Sequence, residues 1–441
     1  MHHTQAIDRV IDLTDPSHNV LLNGCPQRVR AGIAAGDVEV LRQLDGHFAF
    51  VTTQGQFVRM ARSIGRPLRY FIAKRAEGPA LIAAERIDQI YDWLRNEGLA
   101  DQFHPSYTRM VPAHYITEVA LVGCPDPNPR YQRFFHPQRN RLEANPEAIG
   151  PLYIRAVHDA VLRWLQLRAT TGPIGVCFSG GIDSGAVFLV VYHALLQLGQ
   201  SPSRLKAFTL TLDNGPDLVQ ARRFLDALGL GFFLEPITVR PEQIDWREAV
   251  RTVEDYKPLD IQSATMSLAL CQGIRARYPD WRYLIDGEGG DENLKDYPIE
   301  ENPELTIRSV VNNLMLYQEG WGVDAIKHSL TYSGGLSRGY VRAYAPATRF
   351  GFEGFSPFTL PSVIEIAEGI PFDALTGGSH EKLYRLKGAV VAAGIKAVTG
   401  FDMPVFDKRR FQHGVAGEGR FAELFPAHPS AYRRAFQAIY D

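Results

Sequence analysis

Cysteine is nearly absent. The 441 residues hold four, Cys25, Cys124, Cys177 and Cys271, too few for a disulfide framework and spaced too widely for a CxxC metal clamp. They read as reduced thiols. An excess of charge is also missing, because 47 Lys and Arg stand against 49 Asp and Glu, a formal charge of −2. Binding along a duplex or a long RNA requires a basic surface that this composition does not supply, so nucleic acid is not expected as a main partner. No stretch approaches the roughly 18 unbroken apolar residues of a membrane span. The start, MHHTQAIDRVIDLTD, has no basic region followed by an apolar leader. A cytoplasmic, non-membrane protein is expected. What is present is ordinary for a globular chain: 45% apolar and 22% charged residues, with no internal repeat or low-complexity tract. At about 150 residues per domain the length suits two or three domains.

Short β-like runs crowd the first part: FAFVTT (48–53), QFVRMARS (56–63), LRYFIAK (68–74), ALIAAE (80–85) and HYITEVALV (114–122). They predict a mostly β, layered domain over residues 1–140. The Pro- and Asn-rich segment 124–150 reads as a linker, with the boundary near 140. Beyond it, over 141–441, a helical pattern at 148–169 introduces strands at PIGVCFS (173–179), LKAFTLTL (205–212), FFLEPITV (232–239) and RYLIDG (282–287). Alternating strands and helices predict an α/β fold with a doubly wound parallel sheet, which binds ligands at the carboxyl ends of its strands.

Two motifs carry chemistry. The first, Ser179-Gly180-Gly181-Ile182-Asp183-Ser184, lies between the strand PIGVCF and an apolar helix. Paired glycines allow a tight turn and close approach to a ligand, and the helix start offers N–H groups and a positive dipole end to an anion. Ser179 and Ser184 can donate to phosphate oxygens, and Asp183 can hold a hard cation such as Mg²⁺ against them. No GxxxxGK[ST] is present, so a γ-phosphate-gripping loop is excluded. The second motif, Asp286-Gly287-Glu288-Gly289-Gly290-Asp291-Glu292, follows the RYLI strand and brings carboxylates to the same sheet edge. Asp183 and Asp291 with phosphate oxygens would form an octahedral Mg²⁺ site.

SGGIDS resembles the pyrophosphate loop of the ATP pyrophosphatase (PP-loop) family, and GEGGDE resembles the GEGSDE element of asparagine synthetases. Further matches follow in the family's order: PLDIQSATM (258–266), GFEGFSPF (351–358) for ExRVPF, HEKLYRL (380–386) for EKxxLR, and KRRFQHGV (408–415) for KxxFxxGV. The resemblance implies ATP and Mg²⁺ as cofactors. It also implies a nucleotide-binding set of Ser179, Gly180, Gly181, Asp183, Ser184, Leu210 and Gly287, with Asp183 and Asp291 on the metal. Lys408 is the expected catalytic cation, since an ammonium aimed at charge developing on the α-phosphate and acyl group stabilises the transition state. Glu288 is the expected base for the attacking amine.

LDGHFAFV (44–51), ARSIGRPLRYF (61–71) and ALIAAERIDQI (80–90) resemble the glutaminase domain of the same enzymes. Those glutaminases use a processed N-terminal cysteine whose own α-amine is the base. Here the chain starts Met1-His2-His3 and the first cysteine is Cys25, expected to serve packing. A degenerate, non-hydrolytic domain is expected. Other departures lie where an acceptor should sit: Phe233-Leu234-Glu235 for HHE, Phe355 for the arginine of ExRVPF, and Asn293-Leu294-Lys295-Asp296-Tyr297 for an apolar-Gly-Gly-Tyr continuation. The expected activity is AMP-forming amide synthesis on a small-molecule carboxylate. The nitrogen comes from an amine, as in β-lactam synthetases, which serve antibiotic biosynthesis, or from ammonia. A catalytically silent scaffold and a tRNA-modifying PP-loop enzyme are the other classes weighed, and the oligomeric state, a homo-oligomer included, is left open.

Overall fold

The computed structural model describes residues 9–122, 127–212, 215–296, 306–312, 339–406 and 423–440. Among these the chain divides into two compact units: one runs to His136 and takes in the chain from Gln437, and the other begins at Pro137 and ends at Phe436. No helix of the described residues is long and apolar enough to cross a membrane.

The first unit holds ten strands among its described residues: β1 (Val10–Asp12), β2 (Val20–Leu21), β3 (Gly46–His47), β4 (Ala49–Gln54), β5 (Phe57–Arg62), β6 (Arg69–Ala73), β7 (Ala80–Ala84), β8 (Arg109–Met110), β9 (Tyr115–Ala120) and β10 (Arg130–Arg133). They form two four-stranded sheets, β1-β7-β6-β8 and β10-β9-β5-β4, and a β2-β3 pair. Val51, Val58, Met60 and Val119 of one sheet share a buried cluster with Tyr70, Leu81 and Ala83 of the other, which places the apolar core between the two layers. Helix α1 (Ile87–Asn96) covers the far face of the β6-β7 sheet through Ile90 and Leu94. The five expected strands correspond to β4, β5, β6, β7 and β9. The segment expected to be a linker contributes β10, an edge strand paired antiparallel with β9. Its sequence, Arg-Tyr-Gln-Arg, lacks the apolar alternation of a core strand, which is how edge strands avoid further pairing.

In the second unit five strands pair in parallel: β11 (Ile174–Cys177), β12 (Leu205–Thr211), β13 (Leu234–Thr238), β14 (Tyr283–Ile285) and β15 (Glu353–Phe355), in the order β13-β12-β11-β14-β15. The unit is therefore α/β with a parallel sheet. β15 was not among the expected strands, because three residues containing a glycine carry no periodicity. Strand order reverses at β11 and β14, which are neighbours although Tyr283 lies 106 positions after Cys177 (283 − 177). Helices α2 (Pro146–Leu167), α3 (Ile182–Gln197), α4 (Pro216–Ala227), α5 (Pro258–Arg277), α6 (Gly290–Leu294), α7 (Pro361–Glu368) and α8 (His380–Thr399) complete the frame used below. Asn145 caps α2 by accepting from the Glu147 N–H, and Pro146 occupies the first helical position, where no N–H is needed. Long α2 and α8 pack against each other.

Candidate active site

The two motifs meet because their strands are neighbours. Val176 of β11 is in register with Ile285 of β14, so the loops that leave both strands emerge side by side. After β11, Gly180 takes φ +72°, and a Cβ there would stand 2.7 Å from the Ala221 backbone of α4. Only glycine fits that turn without strain. The loop is knitted by its serines: the Ser179 N–H donates to Ser184 Oγ at 3.2 Å, and the Gly181 N–H to Ser179 Oγ at 3.3 Å. Gly181 caps α3, whose first turn carries Asp183 and Ser184.

After β14, Asp286 ties the second turn: it accepts from the Glu288 N–H at 2.9 Å and from Ser356 Oγ at 2.8 Å. Burial pushes its carboxyl up to about 7, although both of these donors hold it back. Ser356 lies in GFEGFSPF, so that segment enters the site through a hydroxyl. Its Phe355, at the arginine position of the resembling pattern, instead stacks on Trp164 with ring centroids 4.9 Å apart. A Cβ on Gly287 would stand 2.9 Å from Asp183 Cβ, and one on Gly290 would run into the Asp183 carboxylate. The glycines of the second motif thus make room for the first.

Between the two motifs sits a cation that sequence reasoning missed. Lys387 Nζ of α8 lies 2.5 Å from Asp183 Oδ2, in direct contact with Asp291 Oδ1, and 3.4 Å from Asp296 Oδ2. Its side chain is 2% exposed. Burial opposes its charge, but Asp183, Asp291 and Asp296 outweigh burial and raise its pKa well above the ordinary lysine value. HEKLYRL ends one residue before it. The signal available in sequence was a lysine on the apolar face of a helix, beside buried Leu383, Leu386 and Val390.

Glu288 is partly exposed, and burial raises its carboxyl to about 8; Arg342 works against that rise, while Glu292, Asp286 and Asp291 add to it. A carboxyl near 8 can exchange a proton at neutral pH. Leu210 lies on β12 with its side chain in the core cluster of Phe208, Leu212 and Ile237. Lys408 falls outside the described residues. Phe233-Leu234-Glu235 places Glu235 in ion pairs with Lys206 and Arg277. In the first unit, Cys25 is exposed at the start of helix Pro26–Ala35 and donates its thiol to Gln27 Oε1, so the expected packing role does not hold.

Asp183 and Asp291 converge on one positive charge, which is the donor chemistry a hard divalent cation needs. Among the described residues no group of three or more His, Cys, Asp or Glu could hold a metal ion. Phosphate or water oxygens would have to complete the shell.

Residues 155–344 match the family model described as asparagine synthase. Asparagine synthetase [glutamine-hydrolyzing] 2 of Lotus japonicus is 26% identical over 335 residues, 74% of this chain and 50% of that protein. Asparagine synthetase [glutamine-hydrolyzing] 1 of the same plant is 29% identical over 174 residues, 38% of this chain and 28% of the relative. Amidase chry2 of Gibberella zeae is 31% identical over 157 residues, 32% of this chain and 22% of the relative. The chain spans half or less of the length of these relatives. NMN synthetase from Francisella tularensis overlays with a TM-score of 0.24 at 13% identity, covering 56% of this chain and 93% of that one, a likeness too slight to argue from.

Proposed function

Since the chain is an asparagine synthetase-like protein, we propose that it is an ATP-dependent, AMP-forming amide synthetase of the PP-loop type. The observation that carries this reading is the seating of Lys387 between Asp183 of the first motif and Asp291 of the second. Such a site sets an ammonium beside two carboxylates that would draw in a divalent cation, the two positive charges that a departing pyrophosphate needs.

In this reading the Ser179–Ser184 loop and the start of α3 receive the β- and γ-phosphates. A carboxylate oxygen of the substrate attacks the α-phosphorus, the bond to the β-phosphate breaks, and pyrophosphate leaves toward Lys387. Asp183 and Asp291 would hold Mg²⁺, which would supply neutralising charge to the phosphates. An amine nitrogen then attacks the acyl carbon, AMP departs, and the amine proton passes to Glu288. Lys408, by the resemblance of its segment, stabilises charge at the α-phosphate and acyl group.

The nitrogen source divides the finer readings. The departures on the acceptor side, with Phe355 stacked on Trp164 and Glu235 paired with Lys206 and Arg277, support a substrate other than aspartate that carries its own amine, as in β-lactam synthetases of specialised metabolism, with the first unit a degenerate glutaminase-like domain. Glu288 supports an ammonia-dependent reaction, because β-lactam synthetases, by the same resemblance of motif, carry tyrosine at that place. We favour the amine-bearing substrate. A silent scaffold is disfavoured, since Ser179, Asp183, Ser184 and Asp291 all stand where the resembling motifs need them, and a decayed site would lose them independently. ATP–pyrophosphate exchange screened over carboxylates, with phosphorus NMR of the products, tests the reading. AMP and pyrophosphate are expected, and substrate-dependent ADP would overturn it.

A further inference from the structure

After the second motif the chain departs from the resembling pattern at two adjacent positions, Lys295 and Asp296, where glycines are usual. Both are buried. Lys295 adopts φ +57°, the conformation glycine would take without strain, and is secured by Glu368 Oε1 at 2.7 Å, with Arg139 Nε 3.3 Å from the other carboxylate oxygen. The backbone just beyond α6 is thereby fixed, and the Asp296 N–H donates to the Asp291 carbonyl at 3.0 Å. Asp296 Oδ2 then stands 3.4 Å from Lys387 Nζ.

We propose that Asp296 is a positioning residue for Lys387: it keeps the ammonium beside the phosphates when a divalent cation takes Asp183 and Asp291. The inference deepens the functional reading above and rests on it. Lys387 is 2% exposed, so an ammonium displaced from both aspartates has no ready path to water. A buried cation left without a partner is costly. Asp296, at 3.4 Å, supplies a protein partner that holds the ammonium independently of the two metal-bound aspartates, so that the phosphates are not its sole anchor. Charge points the same way. Three carboxylates and one ammonium sum to −2, which one divalent cation cancels. With glycine in place of Asp296 the sum is −1, and Lys387 and the metal compete for the same two aspartates.

The test measures Mn²⁺ binding by the loss of the free-ion paramagnetic resonance signal, in full-length protein saturated with α,β-methylene ATP. The Asp296→Asn variant should bind Mn²⁺ about tenfold more weakly at unchanged stoichiometry. In a Lys387→Met background the same substitution should cost less than about threefold, because the residue it positions is gone. An equal cost in both backgrounds, or unchanged affinity in Asp296→Asn, overturns the inference while leaving the functional reading intact. A wild-type protein that binds no Mn²⁺ with the nucleotide analogue overturns both.

Discussion

The ammonium of Lys387 stands 2.5 Å from a carboxylate oxygen of Asp183, a residue 204 positions earlier in the chain. This contact joins α8 to the start of α3, and through Asp291 it joins both to α6. Three elements distant in sequence thus share one charge cluster, from which most of the proposed chemistry follows.

Lys387→Met leaves Asp183 and Asp291 facing each other with no intervening positive charge. The metal-free variant should melt several degrees lower than the wild type, since removing the shared ammonium leaves like charges repelling one another. Added Mg²⁺ should recover most of the loss. Calorimetry with and without Mg²⁺ decides it, and a deficit that Mg²⁺ does not change would place Lys387 in the packing alone.

Gly290→Ala separates two opposed effects. Gly290 opens α6, where alanine ought to help by up to about 1 kcal/mol on helix propensity. A Cβ there meets the Asp183 carboxylate, however, and overpacking typically costs about 1–3 kcal/mol. Net destabilisation in denaturant melts and weaker nucleotide binding are expected. A stabilised variant would show that the two motifs do not meet this closely.

Glu288→Gln should leave ATP–pyrophosphate exchange largely intact and slow amide release. With its carboxyl raised to about 8, wild-type amide formation should climb as pH rises from 7 to 9, and the variant should lose that climb. Stability should run the other way. The fold favours the protonated form, so this contribution is full below the ordinary carboxyl value and is lost as pH rises toward 8. The variant should therefore gain on the wild type in thermal melts between pH 5 and 8. Loss of exchange together with amide formation would move Glu288 to the metal and away from the base role.

Lys408→Ala should lower turnover about 10²-fold or more with little change in ATP affinity, as removal of one transition-state donor does. Steady-state kinetics with separate measurement of nucleotide binding checks this. An unaltered rate would make the resemblance of KRRFQHGV coincidental.

Local sequence was enough for the local parts of this protein. SGGIDS announces a strand, a tight turn and a helix start because Gly180 and the apolar run behind it allow little else, and GEGGDE does the same after β14. The α/β character was legible for the same reason, since apolar runs such as LKAFTLTL alternate with helical periods. Short or polar strands were not: β15 has three residues, and β10 is polar because it lies at an edge. Which side chains meet was settled by the tertiary fold alone. Lys387 reads in sequence as one lysine in an apolar helix, and its buried place among Asp183, Asp291 and Asp296 exists only once β11 and β14 lie side by side and α8 packs on α2. The raised carboxyls of Asp286 and Glu288 were hidden likewise, because burial is a property of the whole fold and local spacing does not encode it.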